Sequence, residues 1–282
     1  MTAPRSVEFL LVAYGNPTEV VEFVDHVRMV EPGPEIRFAV CDNSPAPHAT
    51  ALDERTDVVL VRRPDNPGYL PGGLAALRAS VQERGALPDW AILSNTDLTF
   101  ESTDLTAVLG DYDPLDPVVL APRITEGTAR IEKNPHLLVP RSLRRHRVNH
   151  YATLTPSLAY GYLMLSRVRL AVRTHRARRL TQPRTSVSAG STIYSPYGAI
   201  MIFSRGFLDR DALPSDVPIT AEEYAVAERA RREGAPVVFE PRIHVHHDPH
   251  TTTGPKVSWP RAVRLSRAFT YIHHDAERAA RG

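Results

Sequence analysis

Unbroken apolar runs alternate with helically spaced apolar positions through the first hundred residues. Residues 7–13 form a continuous apolar stretch interrupted only by Glu8, and they predict a first strand. Asn16-Pro17-Thr18-Glu19 then has the layout of a helix start. Asn16 is placed as N-cap, Pro17 at the first helical position, and Glu19 where it can reach back as in a capping box. Val20, Val21, Phe23, Val24 and Val27 follow at helical spacing. Residues 36–41 and 58–61 predict a second and a third strand. A Gly/Pro-rich loop over 64–73 leads into a helix over 74–84, and 90–94 is a fourth strand. Strands without polar alternation, separated by helices, indicate a mostly parallel sheet covered on both faces. The predicted fold class is α/β.

The second half is less regular. A Pro- and Asp-rich stretch over 104–122 contains an edge strand at 118–121, and a helix is predicted over 158–180. In that helix Leu165, Val168 and Val172 form a stripe beside Arg169, Arg173 and Arg176, the pattern of a core-facing helix with a solvated basic flank. A buried strand over 197–203, a helix over 221–233 closed by Gly234, short strands at 237–239 and 243–246, and a last helix over 261–278 complete the chain. No internal repeat or low-complexity run is present. This divides the sequence into a first half (1–125), a basic, partly helical insertion (126–190), a second half of the same domain (191–255) and a helical tail (256–282).

Composition narrows the picture. The single cysteine, Cys41, excludes a disulfide framework and a cysteine-based zinc site. No run approaches the roughly 18 apolar residues of a membrane span, and the N-terminus lacks a signal-peptide layout. A cytoplasmic protein is expected. The net charge of +2 conceals an uneven distribution: from Lys133 to Arg205 there are thirteen basic residues and no acidic one. The remainder carries 21 basic against 32 acidic residues, a net of −11. This asymmetry points to an anionic partner for the basic segment, a phosphate, a polyanion or an anionic membrane surface on which the protein sits peripherally.

The polar residues cluster where the apolar strands end. Tyr14-Gly15-Asn16, Asp42-Asn43-Ser44, the loop from Asn66 to Gly73, and Asn95-Thr96-Asp97 each follow a predicted strand. Ligands of open α/β sheets bind beyond the carboxyl ends of the strands, so these loops predict one composite site. Neither the Gly-x-Gly-x-x-Gly fingerprint after the first strand nor a P-loop occurs. Glu222 and Glu223 open a helix, where the macrodipole favours acids in any case. His244, His246, His247, Asp248 and His250 form a dense group. Strand alternation sets His247 opposite His244 and His246, and imidazole with carboxylate suits a divalent ion.

In this order the fragments resemble family 2 glycosyltransferases of the GT-A fold, of the rhamnosyl- or galactofuranosyl-transferase kind. Seven segments carry the resemblance across residues 7–254: Val7 to Tyr14; Val40-Cys41-Asp42-Asn43-Ser44; Asn66-Pro67-Gly68-Tyr69-Leu70-Pro71-Gly72-Gly73; Leu93-Ser94-Asn95-Thr96-Asp97; Tyr194-Ser195-Pro196-Tyr197-Gly198-Ala199; Glu222-Glu223 with Ala227-Glu228, Arg231 and Gly234; and Glu240-Pro241-Arg242 through His247, His250, Thr252 and Thr253. The resemblance implies an inverting transfer from a UDP- or dTDP-sugar to a hydroxyl acceptor, a glycan, a lipid-linked sugar or a small molecule, as in cell-surface polysaccharide biosynthesis. It implies that Ala13, Tyr14, Gly15, Asp42, Asn66, Gly68, Gly72, Gly73, Asn95 and Thr96 contact the donor. Asp97 and His247 would hold Mg²⁺ or Mn²⁺, Glu223 would be the general base, and Glu222 would orient or bind the acceptor. The glycines at 68, 72 and 73 would let the backbone approach the nucleotide.

Three departures stand out. The metal motif reads Asn-x-Asp instead of Asp-x-Asp, Glu-Glu replaces the commoner Glu-Asp, and Tyr197 stands where related sequences often have His. A nucleotidyltransferase on a similar fold would want a Gly- and Lys-rich loop after the first strand, where this chain has Tyr14-Gly15-Asn16-Pro17. A non-catalytic nucleic-acid-binding protein would interleave aromatics with its arginines, and none lies between Arg167 and Arg184.

Overall fold

A computed structural model describes residues 4, 6–15, 17–33, 35–45, 52–101, 104–177, 187–210, 213–248 and 257–281. In chain order the elements are β1 (Val7–Ala13), α1 (Pro17–Val30), β2 (Ile36–Asp42), β3 (Val58–Arg62), α2 (Tyr69–Arg84), β4 (Trp90–Ser94), β5 (Leu98–Phe100) and α3 (Leu105–Leu109). There follow β6 (Val119–Glu126), β7 (Ile131–Glu132), α4 (Leu143–Ala152), α5 (Pro156–Ala177), β8 (Thr192–Ile193), β9 (Ile200–Ser204), α6 (Arg205–Leu208), α7 (Glu222–Arg232), β10 (Val237–His247) and α8 (Trp259–Ala279).

The apolar strands assemble into one sheet in the order β3-β2-β1-β4-β9-β6-β10-β5, with β7 paired to β6 and β8 to β10. Strands β1 to β4 are mutually parallel, β6 and β10 are parallel to each other, and β9 runs antiparallel between β4 and β6. Both faces are buried, as continuous apolar runs require. On one face Val20, Phe23 and Val24 of α1 pack on Phe9, Phe38 and Trp90, with the Phe9 and Phe38 rings stacked at 5.5 Å. On the other, Leu74 and Leu77 of α2, Val226 and Ala230 of α7 and Ile272 of α8 cover Leu10, Leu93 and Phe203. Even Glu8, the second residue of β1, is fully buried. Burial raises its carboxyl pKa against the pull of Arg84, whose guanidinium lies 3.7 Å away.

Several sequence expectations are corrected. Helix α2 starts at Tyr69, not residue 74, because Pro71 falls in the first turn, where its missing N–H costs nothing. Strand β6 is longer than predicted and central, not an edge, since β9 and β10 pair on either side of it. The two short strands over 237–246 are one strand, β10, with a bulge between Glu240 and His244 that accommodates Pro241. Helix α5 does not turn Leu165 and Val168 to the core. Both are exposed, at 61% and 62%, because the buried side of this helix is the one carrying Ala159. The predicted N-cap Asn16 and the residues His250, Thr252 and Thr253 lie outside the described residues, as do the side chains of Arg169, Val172, Arg173 and Arg176.

Candidate active site

The carboxyl ends of β1, β2, β3, β4, β6 and β10 and the start of β9 share one sheet edge, and nearly every predicted site residue falls on it. Ala13 closes β1 with its carbonyl accepting the Asn43 N–H at 2.9 Å. Tyr14 follows, 53% exposed. Gly15 has a positive φ of 78° and donates its N–H to the Ser44 hydroxyl at 2.9 Å. Asp42 is buried at the end of β2, one carboxylate oxygen accepting the Ser44 N–H. These contacts join the ends of the first two strands into a single polar rim.

Asn43 holds the third loop. Its side chain is buried, and its amide donates to the Gly68 carbonyl at 3.0 Å. Gly68 has a φ of 106°, which an L side chain rarely adopts. Asn66, exposed at the loop tip, sits in the left-handed region that Asn tolerates. Gly72 and Gly73 lie close against the sheet. A Cβ at Gly72 would press on Val12 and Asn43, and one at Gly73 would lie 2.4 Å from Leu93. Both serve close packing of α2 on the sheet. That packing places Tyr69, the first residue of α2, in the site. Burial raises the Tyr69 hydroxyl well above its usual pKa, and the Glu222, Asp97 and Glu223 carboxylates add to the rise.

Asn95, Thr96 and Asp97 link β4 to β5, and the Asn95 N–H bonds the Ala199 carbonyl at 2.8 Å just before β9. Strand β5 pairs antiparallel with the end of β10, with Leu98 opposite His247. This register brings Asp97 and His247 together, at 3.1 Å between Oδ2 and Nε2. The Glu126 carboxylate, at the end of β6, lies 3.4 Å from the other imidazole nitrogen. It is also 2.7 Å from the Lys133 ammonium and accepts the Tyr197 hydroxyl at 3.0 Å. Burial alone would lower the His247 pKa, but the carboxylates of Asp97 and Glu126 outweigh it and hold the imidazole above its usual value. His244 and His246 have other partners: His244 is 3.3 Å from Glu101, and His246 meets the Thr125 hydroxyl at 3.1 Å.

Among the described residues no three or more His, Cys, Asp or Glu side chains form a group able to hold a metal ion by themselves. Asp97 and His247 nevertheless fit a hard divalent cation. The Asp97 Oδ1 is buried with no hydrogen-bond partner, a lone pair set that a cation would satisfy. Mg²⁺ and Mn²⁺ commonly take few protein ligands and complete their shell with water and phosphate oxygens.

Glu222 and Glu223 both belong to the first turn of α7, yet their surroundings differ. Thr220, ahead of the helix, has a φ of 78°, a strained conformation for a β-branched residue that costs on the order of 1–3 kcal/mol. The chain is thereby turned so that Glu223 faces a cavity of about 90 Å³ lined by His136, Arg141, His146, Tyr194 and Tyr224 among others. Its carboxylate accepts the Gly198 N–H at 3.2 Å, and a Cβ on Gly198 would stand only 2.8 Å from that oxygen. Glu222 is buried away from the cavity. Burial, and then the charge of Glu223, push its pKa up to about 8. Burial also raises Glu223, but the N–H groups of Glu223 and Gly198 and the Arg141 guanidinium oppose the rise.

No family model and no curated protein sequence matches the chain. Solved structures do. GalNAc-T7, crystallised with UDP, GalNAc and Mn²⁺, aligns with a TM-score of 0.56 at 12% identity, over 92% of this chain and 48% of that one. TarS of S. aureus in complex with UDP-GlcNAc aligns at 0.53 and 11% identity, over 96% of this chain and 73% of that one. A second structure of the same TarS segment aligns at 0.50 and 10% identity, over 97% of this chain and 73% of that one. The fold is that of GT-A glycosyltransferases. This chain spans about half the length of the GalNAc-T7 chain.

Residues that carry much of this geometry escaped the sequence reading. Asn43 and Tyr69 lay inside motifs but were given no role. Glu126 fell into the presumed insertion because β6 was ended too early. Lys133 and Arg141 were counted only as members of a basic stretch.

Proposed function

We propose that the protein is an inverting glycosyltransferase of the family 2 kind that moves a sugar from a UDP- or dTDP-linked donor to a hydroxyl acceptor. The observation that carries this reading is the convergence of the Asp97–His247 pair and the Glu223 carboxylate around one tyrosine, Tyr69, on the ligand-binding edge of the sheet. The GalNAc-T7 and TarS structures, with UDP, GalNAc and Mn²⁺ or with UDP-GlcNAc, support a uridine nucleotide as donor.

In this reading the polar rim of Ala13, Tyr14, Gly15 and Asp42 takes the nucleoside. The Asn66–Gly68 loop and Asn95 and Thr96 border the ribose and diphosphate. Asp97 and His247 would hold Mg²⁺ or Mn²⁺, which when bound neutralises the diphosphate as it leaves. Glu223 accepts the proton of the acceptor hydroxyl as that oxygen attacks the anomeric carbon from the face opposite the leaving diphosphate, so the configuration inverts. Glu222, kept protonated at neutral pH by its own burial and its neighbour's charge, remains a hydrogen-bond donor. Titration calorimetry with UDP and with dTDP in Mn²⁺ or Mg²⁺ tests the assignment. Binding of at least one nucleotide in the micromolar range is expected, and no heat from either rejects it.

Helix α5 adds a peripheral membrane surface to the proposal. Leu158, Met164, Leu165 and Val168 fall within about a third of the circumference of the helix and are each about half exposed or more, within a segment of thirteen basic residues and no acidic one. An exposed apolar stripe on a basic helix matches an anionic bilayer surface. Among the described residues no helix is long and apolar enough to cross a membrane. Co-sedimentation with phosphatidylglycerol vesicles is expected, weakened by 0.5 M salt as screening shortens the reach of the charges and by Leu165→Asp/Val168→Asp. Equal binding to phosphatidylcholine vesicles would remove this surface from the reading.

A further inference from the structure

The cavity that Glu223 faces is lined by a second charged residue, Arg141, which is exposed. Other arginines are occupied: Arg231 pairs with Glu228 and Arg232 with Asp275. Arg141 has no ion pair among the described residues. No acidic side chain lies in the stretch of chain that carries it, and Glu223 is the sole carboxylate lining the cavity. His136 and His146 stand beside it on the same wall. Burial, and then the Arg141 charge, keep both imidazoles below their usual pKa. The His146 ring is engaged by the Arg141 backbone carbonyl, which leaves the His136 imidazole as the donor beside the guanidinium. A guanidinium with an imidazole donor beside it in the lining of a small cavity is a receptor for an oxyanion.

We propose that this cavity binds an acceptor carrying an oxyanion, a phosphate or a carboxylate, with the oxyanion on Arg141 and His136 and the accepting hydroxyl on Glu223. The proposal rests on the glycosyltransferase reading for the role of Glu223, and it adds the class of acceptor. The cavity, about 90 Å³, admits the oxyanion and the hydroxyl-bearing carbons next to it, leaving the bulk of a larger acceptor outside.

The test uses the full chain, saturated with UDP and Mn²⁺ so that the diphosphate region is closed to competing anions. Inorganic phosphate, acetate and glycerol 1-phosphate are titrated while the imidazole resonances of His136 are followed by NMR. Saturable shifts are expected with at least one oxyanion and none with neutral glycerol. Vesicles containing phosphatidic acid, compared with glycerol 1-phosphate, separate a lipid-borne oxyanion from a soluble one. Arg141→Gln should weaken the oxyanion about tenfold or more, the usual consequence of removing a charged hydrogen-bond donor, and Arg141→Lys should restore part of the loss. Because Arg141 is exposed, both variants should keep the parent melting temperature. An unmoved His136 imidazole, or equal affinity in Arg141→Gln, overturns the proposal. Nucleotide affinity measured on the same samples keeps the two ideas apart. UDP binding without Arg141-dependent oxyanion binding sinks only the acceptor class, whereas oxyanion binding without UDP binding sinks the transferase reading and leaves the receptor standing.

Discussion

Glu223→Gln is expected to reduce sugar transfer by about 10²- to 10⁴-fold, the range typical of a lost general base, while nucleotide affinity stays within a factor of about two. The substitution keeps the shape of the side chain and its hydrogen bond from the Gly198 N–H, so the fold and the donor rim are undisturbed. What disappears is the capacity to take a proton. Glu222→Gln is the informative partner. At neutral pH the Glu222 carboxyl is already protonated, its pKa pushed up to about 8, and an amide reproduces much of that state. A loss of less than about tenfold is therefore expected. If Glu222→Gln were the more damaging of the two, the roles would have to be exchanged. The pH profile gives a second check. Glu223 must be ionised to act, and burial raises its pKa, so kcat should climb as pH rises through that raised value. The Gln variant should lose this ascending limb. Measured with the natural acceptor, or as slow donor hydrolysis, these rates separate a chemical role from a binding one.

The parallel half of the sheet was legible in the sequence because buried parallel strands are written as unbroken apolar runs, and four polar loops at their ends marked the ligand edge. The later half was harder for identifiable reasons. Strand β10 passes through Pro241 and Arg242 without ending, because the bulge there lets the Glu240 carboxylate accept the Arg242 N–H and the Tyr112 hydroxyl. No local propensity foretells such a continuation. Strand β6 continues past Ala121 through Pro122 and Arg123 to Glu126, beyond the apolar run that predicts it. The packing on residues 72 and 73 is not legible in the sequence. The neighbour that forbids a Cβ at 73 is Leu93, on a strand that the sequence does not place beneath it. Arg141 shows the same limit from the other side. Charge counting registered it as one of thirteen, and only the cavity distinguishes it from the rest.

Asp97→Ala is expected to abolish the metal dependence of nucleotide binding, lowering UDP affinity in Mn²⁺ by about tenfold or more while leaving the weaker metal-free affinity unchanged. The argument begins with the orphaned Oδ1, a buried carboxylate oxygen without a hydrogen-bond partner. Leaving such a group unsatisfied costs roughly 1–3 kcal/mol, more when it is charged, and a divalent cation would remove that cost. In the absence of metal the Asp97 charge faces His247, whose imidazole is held above its usual pKa by the carboxylates around it. Metal binding to this pair must therefore displace a proton from His247 at the lower end of the neutral range. Metal-dependent affinity should accordingly weaken as pH falls, whereas binding without metal should not follow the same curve. His247→Ala should reproduce part of the loss and remove the pH effect, since the proton and one ligand disappear together. Titrations of UDP into wild type and both variants, with and without Mn²⁺ at two pH values, read all of these quantities. An Asp97→Ala protein that still gained affinity from Mn²⁺ to the wild-type extent would place the cation elsewhere on the sheet edge, with Glu126 as the next carboxylate to substitute.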